Sequence, residues 1–355
     1  MKLNLKLPIK LSVKKGSSVL LVSLLTVLSV LLQACSPASE PEDGALVVYS
    51  ARKEHLVKPL FDEFTRQTGI EVTYITDAAG PLLARLSAEG ADSPADLLIT
   101  VDAGNLWQAA ERGVLASIDS PALEKQVPDN LQDPENRWFG LSIRARTIVY
   151  SSERVDPAQL SSYEALAQPA WKDRLCLRTS KKVYNQSLVA SLIVAHGEAA
   201  TESLVKQWVA NLALPPFSND TRVIEAIDAG QCDVGVVNSY YLGRLQASDN
   251  PPEVALFWAN QGQGERGVHV NISGAGVVKA SQRKAQAQQL IEWLTGAEAQ
   301  AMIAELNLEF PVNDAVEAAG IAKAWGDFRA DALPVHELGE KQAQAIRLMD
   351  RAEYR

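Results

Sequence analysis

WFGLSIRARTIVY, residues 138–150, reads as one long extended segment, and GVHVNISGAGVVK, residues 267–279, reads as a second. Between them the sequence alternates helical and strand patterns of its own. A helix is expected over 184–196, closed by Gly197, and another ends over 224–229 at Gly230. A buried strand follows over 233–237. Before residue 138 the alternation is equally regular. Strands are expected at 46–49, 71–75 and 96–100. Helices are expected over 54–68, 82–89 and 105–112, each stopped by a glycine: Gly69, Gly90 and Gly113. In the first helix Leu56, Val57, Leu60, Phe61 and Phe64 share one face. Strands separated by helices of this length predict a parallel sheet covered on both faces. After residue 279 an amphipathic helix is expected over 282–295, and the rest is mostly helical with breaks at Pro311 and Pro334. Two extended segments bracketing an α/β block describe a chain that leaves one lobe, builds another and returns. The expected fold is therefore α/β and two-lobed, with a two-strand hinge. Lobe one is 45–141 plus 275–355, and lobe two is 142–274. Open α/β sheets bind ligands outside the carboxyl ends of their strands, which here is the cleft that hinge motion would close.

At 355 residues the chain is long enough for two such lobes. Its 47% hydrophobic and 22% charged residues fit an ordinary folded protein and exclude a disordered one. No repeat of 20–50 residues is visible, which argues against solenoids and propellers. The net charge of −9 conceals an asymmetry: Lys2, Lys6, Lys10, Lys14 and Lys15 are the only charges before Glu40. Without those five, 29 of the 34 basic side chains face 43 acidic ones, a net −14, which is ill suited to nucleic acid. The basic start, the apolar run from Val19 to Leu32 and Ala34 before Cys35 describe a secretory signal over 1–34. The ending Leu32-Gln33-Ala34-Cys35 resembles the lipobox of bacterial lipoproteins, which implies a lipid on Cys35. The apolar run is short for a membrane span. Residues 35–44 read as a polar, Pro-containing tether, so the chain is expected outside the cytoplasm, anchored to a membrane. Cys176 and Cys232 then remain, and two cysteines left over in an exported protein suggest one disulfide rather than two buried thiols.

The searches for enzyme signatures fail. His55, His196, His269 and His336 form no close-spaced metal pattern. No Gly-x-Ser-x-Gly turn and no Cys-x-x-Cys occurs. Gly262, Gly264 and Gly267 have the spacing of a dinucleotide loop, but an extended segment follows where a helix is required. His196, in the last turn of its helix, is expected to interact with the helix end. The informative residues are tyrosines. Tyr240 and Tyr241 follow the buried strand, where Asn238 or Ser239 can cap a new helix and aim both rings into the cleft. Tyr184 starts another helix after the strand pattern at 175–179. A phenol is neutral at pH 7, with a pKa of about 10, but a strongly charged cation displaces its proton. Phenolate oxygen is a hard donor, and ferric iron is the obvious hard trivalent ion in biology. The residues alone leave a second reading open: rings that stack on an organic ligand or pack in the core.

Several longer motifs carry a resemblance. They are YSARKE (49–54), SPADLLITVD (93–102), WFG (138–140), RAR (144–146), YNQSLVA (184–190), NDT (219–221), NSYYLGR (238–244) and GVHVNISG (267–274). In this order they resemble the ferric-iron-binding substrate-binding proteins of bacterial ABC transporters, over about residues 45–312. The resemblance implies a two-lobed periplasmic-binding-protein fold, Fe3+ as the transported ligand in the cleft, and delivery to an inner-membrane permease by a monomer. It implies iron ligation by Tyr184, Tyr240 and Tyr241, with Arg52 beside the site and Ser142 and Arg144 at a synergistic anion such as carbonate. Many relatives carry His, or His-Tyr, where Lys53 and Glu54 stand here. A charged lysine cannot ligate, so the lobe-one position is expected to take a Glu54 oxygen or to be left to water or an anion, against the plainer reading that Glu54 simply starts a helix. Asp102, at the end of a lobe-one strand, is expected to support the site indirectly. Two alternatives stay open: a binding protein for an organic cation or polyamine with the tyrosines as an aromatic wall, or an enzyme on the same scaffold, for which no nucleophile–base pair is visible.

Overall fold

The computed structural model describes residues 44–355, so the expected signal segment, Cys35 and nearly all of the tether lie outside the described residues. The described residues open with β1 (Leu46–Ser50), α1 (Glu54–Thr68), β2 (Val72–Thr76), α2 (Ala79–Glu89), β3 (Leu97–Val101), α3 (Ala103–Glu111) and α4 (Pro121–Gln126). The helix ends expected from Gly69 and Gly90 fall there, and Gly69 takes the left-handed conformation with its N–H on Thr65 O. The apolar face of α1 buries Val57, Leu60, Phe61 and Phe64.

The first extended segment is β4 (Phe139–Ser151) and the second contains β8 (Val270–Val277). Between them lie β5 (Leu175–Cys176), α5 (Val183–His196), α6 (Glu198–Ala210), α7 (Asp220–Asp228), β6 (Val234–Asn238), α8 (Ser239–Gln246) and β7 (Val254–Phe257). After β8 come α9 (Lys284–Thr295), α10 (Ala297–Asn307), α11 (Gly320–Ala324) and α12 (His336–Arg351).

One mixed sheet runs in the order β2-β1-β3-β8-β4-β6-β5, with β7 also on β4. This corrects the all-parallel expectation. β1 is parallel to β2 and β3, and β5 to β6, but β8 is antiparallel to both β3 and β4, and β4 to β6. The reason is topological: a chain that leaves a lobe and returns must cross the hinge once in each direction. β4 pairs with β8 through Phe139–Ala145 and with β6 from Arg146 onward, so one strand serves both lobes. The close packing of β8 explains its glycines. A Cβ on Gly276 would lie 2.6 Å from the Arg137 carbonyl oxygen.

Two large apolar cores flank the hinge. One joins residues 46–141 to elements after β8, including Leu290, Ile303 and Leu338. The other is built in lobe two around Trp171, Leu188 and Trp208. Ala345, Leu348, Met349, Ala352 and Tyr354 pack in this second core, so the last residues do not belong wholly to lobe one as expected. The apolar stripe of α12 is long enough to cover α3 in one lobe and α5 in the other. Cys176 and Cys232 are bonded across 56 residues, tying β5 to the start of β6. Gly262, Gly264 and Gly267 lie in the loop before β8. His196 does not cap its own helix; its Nε2 lies 2.8 Å from Glu164 Oε1.

Candidate functional site

The three tyrosines sit where strands give way to helices. Tyr184 is the second residue of α5, and Tyr240 and Tyr241 are the second and third of α8, directly after β6. Asn238 occupies the cap position of α8 but caps nothing with its side chain. Its Nδ2 donates to the Tyr240 hydroxyl at 3.0 Å, and its Oδ1 accepts from Arg146 at 3.0 Å. Tyr184 and Tyr240 are 8% and 2% exposed, so neither is an ordinary surface tyrosine. The rings of Tyr240 and Tyr241 lie 4.6 Å apart.

Arg144, on the hinge strand, binds the two helix starts together. Its Nη2 donates to the Tyr184 hydroxyl at 3.2 Å and to the Tyr240 hydroxyl. Its guanidinium carbon stands 4.8 Å from the centre of each ring. Lys182 and Arg178 lie 5.0 and 5.3 Å from the Tyr184 ring, and Arg244 lies 4.9 Å from that of Tyr240. These charges make the phenols unequal. Burial pushes Tyr184 up, but Arg144, Lys182 and the hydrogen bonds from Arg144 and Tyr240 outweigh it and leave the hydroxyl below its ordinary pKa. Burial dominates at Tyr240 and Tyr241 and raises both.

The residues expected around an anion converge on the carboxylate of Glu309. Arg52 Nη1 donates to both oxygens of Glu309, at 3.1 and 3.0 Å, and also to Ser273 Oγ. Ser142 Oγ donates to Glu309 Oε2 at 2.5 Å, and Arg144 Nε lies 3.4 Å from Oε1. A register shift in β4 between Gly140 and Ser142 accompanies this inward aim of Ser142. Burial raises the Glu309 pKa, yet Arg52 and Arg144 more than reverse it, so the carboxylate stays ionised. Sequence reasoning missed Glu309. Its signal was a single charge inside the apolar run Leu308-Glu309-Phe310-Pro311-Val312. It also missed the buried Arg146–Asp220 pair behind the tyrosines, at 3.2 Å.

Glu54 is placed differently from the phenols. It is exposed on the first turn of α1, and its Oε1 accepts from the Tyr74 hydroxyl at 3.0 Å. Among the described residues, no three His, Cys, Asp or Glu side chains are grouped to hold a metal ion. The phenol oxygens of Tyr184 and Tyr240 meet at Arg144 Nη2, and the Tyr241 ring lies against that of Tyr240. Such a cluster can bind a cation that displaces phenol protons, while the guanidinium groups offset the resulting negative charge.

Two lobes joined through β4 and β8, with the hydroxyls of Tyr184 and Tyr240 gathered on Arg144 of the hinge strand, give the architecture of a solute-binding protein. The profile of the family described as bacterial extracellular solute-binding protein matches residues 92–325, and the chain belongs to that family. It is 42% identical to Iron uptake protein A1 of Synechocystis over 317 residues, 88% of either chain. It is 32% identical to the Fe(3+)-binding periplasmic protein of Serratia marcescens over 74% of this chain and 76% of that one. A Trichodesmium FutA (IdiA) structure in complex with iron and citrate ligands superposes with a TM-score of 0.84 at 45% identity, covering 88% of this chain and 100% of that one. These structural neighbours share the two-lobed architecture.

Proposed function

We propose that this chain captures ferric iron outside the cytoplasm and delivers it to an ABC permease, with Tyr184, Tyr240 and Tyr241 as phenolate ligands. The observation that carries the reading is the sharing of one Arg144 Nη2 between the hydroxyls of Tyr184 and Tyr240, which start two different helices. Three phenolates neutralise a trivalent ion, and Arg144 remains to stabilise the deprotonated oxygens. The iron-handling relatives support the choice of cargo. An organic cation fits less well, because Arg144, Arg178, Lys182 and Arg244 already lie over the ring faces that an ammonium group would seek.

The remaining coordination positions fall to Glu54, which must then give up Tyr74, or to an oxygen of a small anion held by the surrounding cations. The Trichodesmium structure in complex with iron and citrate ligands supports an anion of this kind. Lobe two loads first, since it carries all three phenols, and lobe one closes over the ion. Protons compete with iron for the phenolates, so acidification releases the cargo. A lipid on Cys35 keeps the carrier at the membrane near its permease.

The test is a titration of the purified chain with ferric citrate, read in the visible. A phenolate-to-iron charge-transfer band is expected for the wild type, and its loss is expected in the Tyr240→Phe/Tyr241→Phe double variant. A wild type that stays colourless while saturated with iron overturns the tyrosine assignment.

A further inference from the structure

Away from the phenol cluster, Asp102 joins three parts of the molecule. It follows β3 and caps α3 in lobe one, its Oδ1 accepting from Gly104 N at 2.9 Å. From hinge strand β8, Asn271 Nδ2 donates to its Oδ2 at 2.9 Å. From lobe two, Ser187 Oγ on α5 lies 2.9 and 2.7 Å from its two oxygens. Asn271 also accepts from Ala103 N at 2.8 Å, so the hinge strand grips the turn at both ends.

Helix capping does not account for this residue. Asp102 is 1% exposed and sits at φ 86, ψ 124, a backbone conformation that side-chain-bearing residues rarely adopt. Such conformations persist where the surroundings over-determine them, and they gather at functional positions. Glycine would relieve the backbone and still tolerate the cap position, while serine would cap without burying a charge. Only a carboxylate offers the oxygens that meet Gly104, Asn271 and Ser187 together.

Ser187 stands three residues after Tyr184, on the same face of α5. Whatever holds Ser187 fixes the rotation of α5, and with it the direction of Tyr184. Helix α12 braces the same junction by packing on both α3 and α5, with Gln108 donating to Gln342 at 2.5 Å.

We propose that the Asp102–Ser187 contact is an interlobe latch: lobe one holds α5 of lobe two through Ser187, which couples lobe closure to the placement of the Tyr184 hydroxyl. Asp102 is thus a positioning residue for a cargo it does not touch. The latch itself is independent of the cargo, and its coupling to Tyr184 rests on the reading proposed above.

Two measurements on the full-length chain in detergent separate the parts. Spin labels at Glu124→Cys in α4 and Lys206→Cys in α6 report the interlobe distance without iron. Ser187→Ala, which removes one hydroxyl, and Asp102→Asn are both expected to move the distribution toward longer distances. Ser187→Thr, which keeps the hydroxyl, is expected to restore it. After ferric citrate loading, Ser187→Ala is expected to keep the charge-transfer band but release iron to excess chelator at least about tenfold faster, the factor for losing a hydrogen bond to a charged group. An unchanged distance distribution in Ser187→Ala overturns the latch. A shifted distribution with wild-type release overturns its coupling to Tyr184. A wild type without a band defeats the ferric reading alone, and the distance measurement still decides the latch.

Discussion

Arg144 Nε and Glu309 Oε1 lie 3.4 Å apart, both side chains almost wholly buried, and this pair binds the hinge strand to the segment that follows α10. Leu308, immediately before the carboxylate, has φ 57, a left-handed turn that delivers Glu309 inward. Removing one partner of a buried pair leaves the other charge uncompensated. Glu309→Gln is therefore expected to destabilise the protein by about 3–5 kcal/mol in urea unfolding at pH 7. The sign with pH follows from the depressed pKa. The contribution is fully present above the ordinary carboxylate range and is lost as pH falls through the folded-state value. The gap between wild type and Glu309→Gln should accordingly narrow in acid.

Asp102 predicts the opposite slope. Burial pushes its pKa up from 3.8 to about 6, against the hydrogen bonds from Ser187, Gly104 and Asn271 and the charge of Arg144. A carboxyl that holds its proton more tightly when folded makes the native state progressively less stable as pH rises from the unfolded value of 3.8 to the folded value of about 6. The cost at neutral pH is about 3 kcal/mol, by the usual conversion of a pKa shift. Asp102→Asn is thus expected to raise the melting temperature at pH 7.5 and to leave it nearly unchanged at pH 3, below both pKa values. Equal effects at the two pH values would contradict a buried, ionised Asp102. A charge that costs stability yet caps a helix and holds Ser187 fits a residue kept for positioning.

The disulfide gives a third expectation. Cys176 and Cys232 close a loop of 56 residues whose second end leads into β6 and thus to Tyr240. Chain entropy assigns such a closure about 4 kcal/mol. Reduction should lower the unfolding free energy by that order, and the denaturant midpoint with it, while leaving the far-ultraviolet spectrum native below the transition. The core around Val223, Ile224 and Val237 packs on this region without needing the bond.

How much the sequence disclosed depended on whether the information was local. Helix ends at Gly69, Gly90 and Gly197 and the two long strands were legible because each is written in neighbouring residues. The strand-to-helix placement of Tyr184, Tyr240 and Tyr241 was legible for the same reason. Strand direction was not, since β8 pairs with β3 and β4 only through the return of the chain. Nor was Glu309, whose partners Arg52, Ser142 and Ser273 are brought to it by the turn after β1 and by strands β4 and β8. The C-terminal helix was legible as a helix but not as a bridge, because an apolar stripe does not say which lobe it will cover.

Glu54 and Tyr74 supply the last prediction. The carboxylate on the exposed first turn of α1 is held by a hydroxyl from the neighbouring strand β2. If Glu54 contributes an oxygen to iron, that hydrogen bond competes with loading, and its removal should favour the loaded state. The gain is limited to the net worth of one hydrogen bond, about 0.5–1.5 kcal/mol, or roughly two- to tenfold in affinity. Tyr74→Phe is therefore expected to tighten ferric binding by that modest factor. Glu54→Gln, which keeps the shape and loses the charge, is expected to weaken it and to shift the charge-transfer band. Competition titration against citrate reads both changes. Wild-type affinity and an unshifted band in both variants would assign the lobe-one position to the anion, with Glu54 reduced to favouring the start of α1 through its charge.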